Sequence, residues 1–134
     1  MQTFLPLPDY LESMLCLDKS RLGNQVWREG LTLLRGGWPN HPASKMWRGH
    51  EYHLGLYLLR GIDALCLRNG KYYAEVKRKI VFEMDKFSDT GAPWWVGDVK
   101  FHASHRSNLL RKDPKWYRQF GWKESNNLPY VWPI

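Results

Sequence analysis

Apolar residues in this chain return every three or four positions through most of its length, and over no useful stretch every second position. That is the helical period, not the strand period. The longest such run opens at Pro42 and carries Leu54, Leu58, Ile62 and Leu65 to about Arg68, where Asn69-Gly70 is a stop signal. The next, from about Lys71 to Phe87, spaces Tyr72, Val76, Ile80 and Met84 by four. Upstream, Asp9 can cap a short helix carrying Leu11, Met14 and Leu15. Asp18 can cap another, in which Leu22, Val26, Leu33 and Leu34 lie roughly along one face. Asp98 caps a last long helix to about Lys112, and Asp113-Pro114 restarts a short turn. Both ends read as extended, because Pro6 and Pro8 forbid helix over residues 1–8 and the tail runs out from Lys123. The expectation is an all-α fold: a single compact domain over residues 1–134, of about four to five helices with extended N- and C-terminal segments. Gly23 and Gly30 stand inside the second helix, where each costs about 1 kcal/mol against Ala. Their presence implies that another backbone or a ligand comes close there.

Composition narrows the picture. Hydrophobic residues make up 43% of the 134, enough for a real core. Lys and Arg outnumber Asp and Glu by 20 to 13, for a net charge of +7, which favours polyanionic partners. Tryptophan is frequent, with 8 in the chain, and some of these rings are expected near the surface. Cys16 and Cys66 both fall in apolar helical patterns and read as reduced thiols of a cytosolic protein. The start M-Q-T-F-L-P-L-P-D lacks the basic head and apolar run of a signal peptide, and no stretch is apolar enough to span a membrane. The expected setting is therefore the cytoplasm.

The candidate chemistry is concentrated in the last third. Arg106, Arg111, Lys112, Lys115, Trp116, Tyr117, Arg118, Phe120 and Trp122 mix cations with flat rings. Cations neutralise phosphates and rings stack on unpaired bases. Lys19, Arg21, Arg28 and Arg35 add positive charge near the other end, so the two ends can build one saddle for a nucleic acid. Glu29, one turn after Gln25, is either half of a surface pair with Arg28 or the acid/base group of a small active site. His50 and His53, and again His102 and His105, lie three apart. No Cys or acidic residue completes a metal pattern around them, so neither metal nor other cofactor is expected. His102 and His105, beside Arg106 and Asn108, read instead as contacts to phosphate or a base edge. Arg48 and Glu51 can pair along the Pro42 helix or line a pocket. The chain has no nucleophile elbow, phosphate-binding glycine loop or zinc-deaminase signature.

Several blocks carry a family likeness: M-Q-T-F-L-P-L-P-D-Y, C-L-D-K-S-R-L-G-N-Q, G-W-P-N-H-P-A-S-K-M-W-R-G-H-E, F-H-A-S-H-R-S-N-L-L-R-K-D-P-K-W-Y-R-Q-F-G-W and L-P-Y-V-W-P. Together they resemble the pyrimidine-dimer DNA glycosylase/AP-lyase family of the phage endonuclease V type, in its bacterial and phage branch. The resemblance implies an all-α domain that kinks double-stranded DNA and extrudes a nucleotide, in a bacterial or phage-infected cell. It implies a nucleophile that is the chain's own α-amino group, which attacks C1′ of deoxyribose and leaves an imine that β-elimination cleaves. Because Gln2 is bulky, Met1 is expected to be retained and to carry that amine. Glu29, in Trp27-Arg28-Glu29, matches the family's glutamate, and Arg21 and Arg28 match its phosphate-binding cations. Arg106, Arg111 and Lys115 match further cations, and Arg48, His105, Lys112 and Arg118 complete the expected DNA-contact set. An α-amine titrates near 8, far below lysine at about 10.4, so a useful share is neutral at pH 7. Two other readings stand beside this one. The first is a base- or nucleotide-directed enzyme with a pocket of Gln25, Glu29, His41, Arg48, Glu51, His102 and Asn108. The second is a DNA-binding protein without catalysis.

Overall fold

A computed structural model describes residues 2–134. Among them lie eight α-helical segments and no strand: α1 Tyr10–Cys16, α2 Lys19–Gly23, α3 Gly30–Leu34, α4 Pro42–Trp47, α5 Glu51–Asn69, α6 Ala74–Met84, α7 Val99–Lys112 and α8 Pro114–Tyr117. A π-helical turn, Asn24–Glu29, joins α2 to α3 as one rod, and a 3₁₀ turn, Arg118–Phe120, follows α8.

The all-α expectation holds, with more pieces than the four to five expected. Side-chain caps start several of them. Asp9 accepts from Glu12 N at 2.8 Å, Asp98 from Phe101 N at 2.9 Å and Asp113 from Trp116 N at 3.2 Å. At α4 the cap is His41, whose Nδ1 accepts from Ala43 N at 3.0 Å, with Pro42 in the first turn. Asp18 makes no cap bond. Its carboxylate turns instead to the Tyr117 hydroxyl at 2.5 Å and to Arg21 at 3.2 Å. Burial pushes that carboxyl up, but the bonds from Tyr117 and Arg21 outweigh it and hold the group below its ordinary range.

The helix expected from Pro42 to Arg68 is two. Arg48 is extended and Gly49 takes φ +86°, a region open to glycine, so the chain turns before α5 begins. α5 then buries Leu54, Tyr57, Leu58, Ile62 and Leu65 and ends on Gly70 at φ 65°. α6 starts at Ala74, later than expected, and Tyr72 is 95% exposed, so the four-residue spacing enters the core only at Ile80 and Met84. α1, α3 and α6 all pack on α5. Gly61 lets α5 approach closely, since a Cβ there would meet Val26 at 2.6 Å and Met14 at 2.9 Å. Both cysteines are free thiols, and burial pushes Cys16 up to about 11.

The two extended ends are fastened through α7. Its polar residues His102, Ser104, His105, Ser107 and Asn108 are all buried. Buried backbone N–H and C=O groups need partners, and an extended segment without a sheet must find them on side chains. Leu5 N donates to His105 Nδ1 at 2.9 Å, while His102 Nδ1 meets Leu5 O at 2.8 Å. Arg106 donates to Pro6 O at 2.8 Å. Toward the tail, Leu128 N donates to Ser107 Oγ at 3.0 Å, Asn108 Nδ2 donates to Leu128 O at 3.0 Å, and Val131 N donates to Ser104 Oγ at 3.2 Å. Each such bond contributes about 1 kcal/mol, and stranding a buried group costs about 1–3 kcal/mol. The buried polar row of α7 is what allows the chain's beginning to lie inside the protein.

Candidate active site

The rod formed by α2, the π turn and α3 carries the residues of interest. Within the π turn the backbone bond runs from Gly30 N to Gln25 O. Gly30 is required there: a Cβ would sit 2.2 Å from both Gln25 O and Leu58 Cδ2. The close approach anticipated from Gly30 is thus a helix contact and a widened turn. Such turns recur at functional sites.

Gln25 is 1% exposed and sits between the rod and the chain's beginning. Phe4 N donates to its Oε1 at 2.8 Å, and the Tyr57 hydroxyl lies 2.9 Å from the same oxygen. Its Nε2 donates to Gln2 O at 2.8 Å and to Glu29 Oε2 at 3.1 Å. The Tyr57 hydroxyl also reaches Phe4 O at 2.6 Å, so one phenolic proton is shared between two acceptors. Burial, then the Glu29 charge, pushes Tyr57 well up and keeps it protonated. Thr3 completes the anchorage by accepting from Trp47 Nε1 at 2.9 Å. The backbone of residue 2 and the Glu29 carboxylate therefore hang on the same amide group.

Glu29 opens on two hollows. One, of about 320 Å³, is lined by Gln2, Phe4, Arg21, Asn24, Gln25, Lys112 and Tyr130 among others. Its neighbour, of about 410 Å³, is lined by Asn24, Arg28, Glu29, Thr32 and Trp38. Arg21 and Lys112 bring positive charge to the first from two helices, and Arg28 brings it to the second. Burial pushes Tyr130 up to about 12, against the pull of Arg111 and Arg21, so its hydroxyl is neutral at pH 7. Burial lowers His41, against the opposing charge of Glu29. A carboxylate in a cationic hollow beside a fixed stretch of chain is equipped to move protons and to stabilise developing positive charge.

A comparison with known protein families matches residues 1–78 to the pyrimidine dimer DNA glycosylases. The chain belongs to that family. Searches of curated proteins and of solved structures return no match. The family is one of DNA glycosylases, so DNA is the substrate class. The matched stretch takes in the whole Glu29 rod and α5.

The other residues singled out in the sequence divide sharply. Arg28, Arg111, Lys112, Lys115 and Arg118 are exposed, and Arg21 is half-buried at the edge of the Glu29 hollow. Arg111 is further oriented by a bond to Asn108 Oδ1. His105 does not belong with these surface groups, since it is 0% exposed and its Nδ1 is taken by Leu5 N. Burial first, and the neighbouring His102 second, push it down to about 3, so it is neutral with its proton on Nε2. His102 is also buried, and it accepts from Gly97 N through Nε2 at 2.8 Å, so its Nδ1 donates to Leu5 O. Burial lowers His102, the bond to Leu5 opposes this, and Arg106 adds to the lowering. Arg106 is not a free cation either, because it grips Glu124 at 2.7 and 3.4 Å as well as Pro6 O. The structure thus corrects the reading of His102, His105 and Arg106 as DNA-facing: their polar atoms, with those of Asn108, hold the two ends of the chain.

The alternative pocket breaks up as well. Arg48 and Glu51 line a separate hollow of about 340 Å³, away from Glu29. Among the described residues Arg48 donates to Pro39 O at 2.7 Å rather than to Glu51. His102 and Asn108 lie in the interior, leaving only Gln25, Glu29 and His41 in one neighbourhood. Sequence reasoning passed over Gln2, Tyr57 and Tyr130. Tyr57 carried a weak signal, as a polar-tipped ring on the core face of α5. Met1, expected to supply the reactive amine, lies outside the described residues. Among those residues no group of three or more His, Cys, Asp or Glu side chains is placed to hold a metal ion, and no helix is long and apolar enough to cross a membrane.

Proposed function

We propose that this glycosylase also acts as an AP lyase on double-stranded DNA bearing damaged bases, pyrimidine dimers among them. The amine at the head of the chain is its nucleophile and Glu29 its proton-handling carboxylate. The observation that carries the reading is the shared amide: Gln25 bonds both Gln2 O and the Glu29 carboxylate, inside a basic hollow. The buried segment Gln2–Leu5 takes its polar partners from side chains of the rod, α4, α5 and α7, which fixes its position beside Glu29.

The reaction follows from these groups. A neutral amine attacks C1′, the C1′–N bond breaks, and the base leaves with the bonding electrons and takes up a proton. The attached nitrogen loses a proton, the sugar ring opens as O4′ is protonated, and a protonated imine joins C1′ to the amine. Removal of a proton from C2′ then expels the 3′ phosphate by β-elimination, and water frees the amine. Glu29 stabilises the positive charge that develops at C1′ and carries protons between these steps. Arg21, Arg28, Arg111, Lys112, Lys115 and Arg118 hold the phosphates, which positions the duplex without reading its sequence.

Borohydride reduction tests this. With an abasic-site duplex, the wild type should yield a covalent protein–DNA adduct, and acetylating or extending the N-terminus should abolish it. Glu29→Gln should bind the duplex but lower strand cleavage by on the order of 10²-fold or more. An adduct that survives N-terminal blocking would refute the assignment of the nucleophile.

A further inference from the structure

Gln25 is a buried side chain with every hydrogen-bonding position engaged. A glutamine amide offers two acceptor sites and two donors. Here the oxygen faces Phe4 N and the Tyr57 hydroxyl, and the nitrogen faces Gln2 O and Glu29 Oε2. The amide has one orientation. Rotated by half a turn, its NH₂ would confront the Phe4 N–H, and its oxygen would confront a carbonyl and a carboxylate. The rod beneath it is equally constrained, since Gly30 admits no side chain between Gln25 O and Leu58. Behind it stands α5, through Tyr57, which is 0% exposed.

From this geometry we infer that Gln25 is the positioning residue of the site. Its amide fixes the Glu29 carboxylate relative to the first residues of the chain, and Tyr57 braces the amide from behind. Gln25 needs no contact with DNA to do this: it is buried, and the groups it aligns are the ones that face the hollow. The inference rests on the reading of Glu29 and the N-terminal amine given above, and extends it from which groups react to what keeps them in register. Misplacing a reacting group by about 1 Å costs up to about 10²-fold in rate. A neutral amide suits the task, because the two N–H bonds of its one nitrogen diverge to hold a carbonyl and a carboxylate at once and add no charge to the site.

The test compares single-turnover borohydride trapping on an abasic-site duplex with binding of the same duplex. Gln25→Met keeps the length of the side chain and removes all four polar contacts. It should bind the duplex within about twofold of wild type and form adduct on the order of 10–100-fold more slowly per folded molecule. Tyr57→Phe, which leaves the Gln25–Glu29 bond in place, should slow adduct formation by about threefold. In a Glu29→Gln background the Gln25→Met change should cost clearly less than it does in the wild type, because the part of its effect that passes through the carboxylate is already gone. Folded Gln25→Met trapping at the wild-type rate, or an equal loss with and without Glu29, overturns the inference alone. Should Gln25→Met not fold, an unchanged rate in Tyr57→Phe overturns it. Absence of any adduct with wild type overturns this inference and the imine reading together.

Discussion

His105 makes the stability of this protein pH-dependent on the acid side of neutrality. Its folded form is held down to about 3, against an ordinary value of 6.5, because the ring is fully buried and Nδ1 must stay unprotonated to accept from Leu5 N. In the unfolded chain the same ring protonates below about 6.5. The unfolded state therefore binds more protons as pH falls, and stability declines with it. The contribution is fully present above about pH 7. It is lost at about 1.4 kcal/mol per pH unit below 6.5, flattening only near the folded value. Between pH 7.5 and pH 5 the loss from this residue alone is about 2 kcal/mol. His102 and His41, both lowered by burial, add to it in the same direction. Urea unfolding of the wild type across that range gives the slope. His105→Asn keeps an acceptor near the Nδ1 position but does not titrate. It should be less stable at pH 7.5 by about 1–2 kcal/mol for lost packing, yet lose about 2 kcal/mol less on going to pH 5. Parallel pH profiles for wild type and His105→Asn would mean that the buried ring is not the acid-sensitive group.

Further outcomes follow from the same contacts. Gly30→Ala places a methyl 2.2 Å from Gln25 O and Leu58 Cδ2, so thermal unfolding should show a loss of about 2 kcal/mol or more, with lower strand cleavage as the Glu29 turn shifts. Arg28→Gln and Lys112→Gln should each weaken DNA binding across unrelated sequences and reduce the slope of log K against log salt by about 0.9, measured by anisotropy titration. Arg106→Met, which releases Glu124 and Pro6 O, should lower stability by about 1–3 kcal/mol while leaving that salt slope unchanged, because its charge is already engaged.

Local chemistry was enough to announce the helices and part of the site. The three-to-four spacing in α5, the caps at Asp9, Asp98 and Asp113 and the stop at Gly70 each depend on residues a few positions apart, and each stands where the sequence put it. Gly30 announced a close approach, and Glu29 stood out beside it, although spacing alone favoured a surface pair with Arg28 over an acid/base group. The break at Gly49 was not read from the sequence, where the spacing of Leu54, Leu58, Ile62 and Leu65 was extended back to Pro42; the structure ends α4 at Trp47, with Arg48 extended and Gly49 at positive φ.

Composition alone pointed to a basic, aromatic-rich partner for nucleic acid, and the run from Phe101 read as its contact surface. Tertiary structure decided otherwise for half of that run. His102, His105, Arg106 and Asn108 face inward because backbone groups about twenty to one hundred residues away need partners that no sheet supplies. The same demand seats Gln2 and Phe4 against Gln25, and through it against Glu29. Residue types and spacing carry the local bonds; which buried donor meets which distant acceptor is settled only when the whole chain closes on itself.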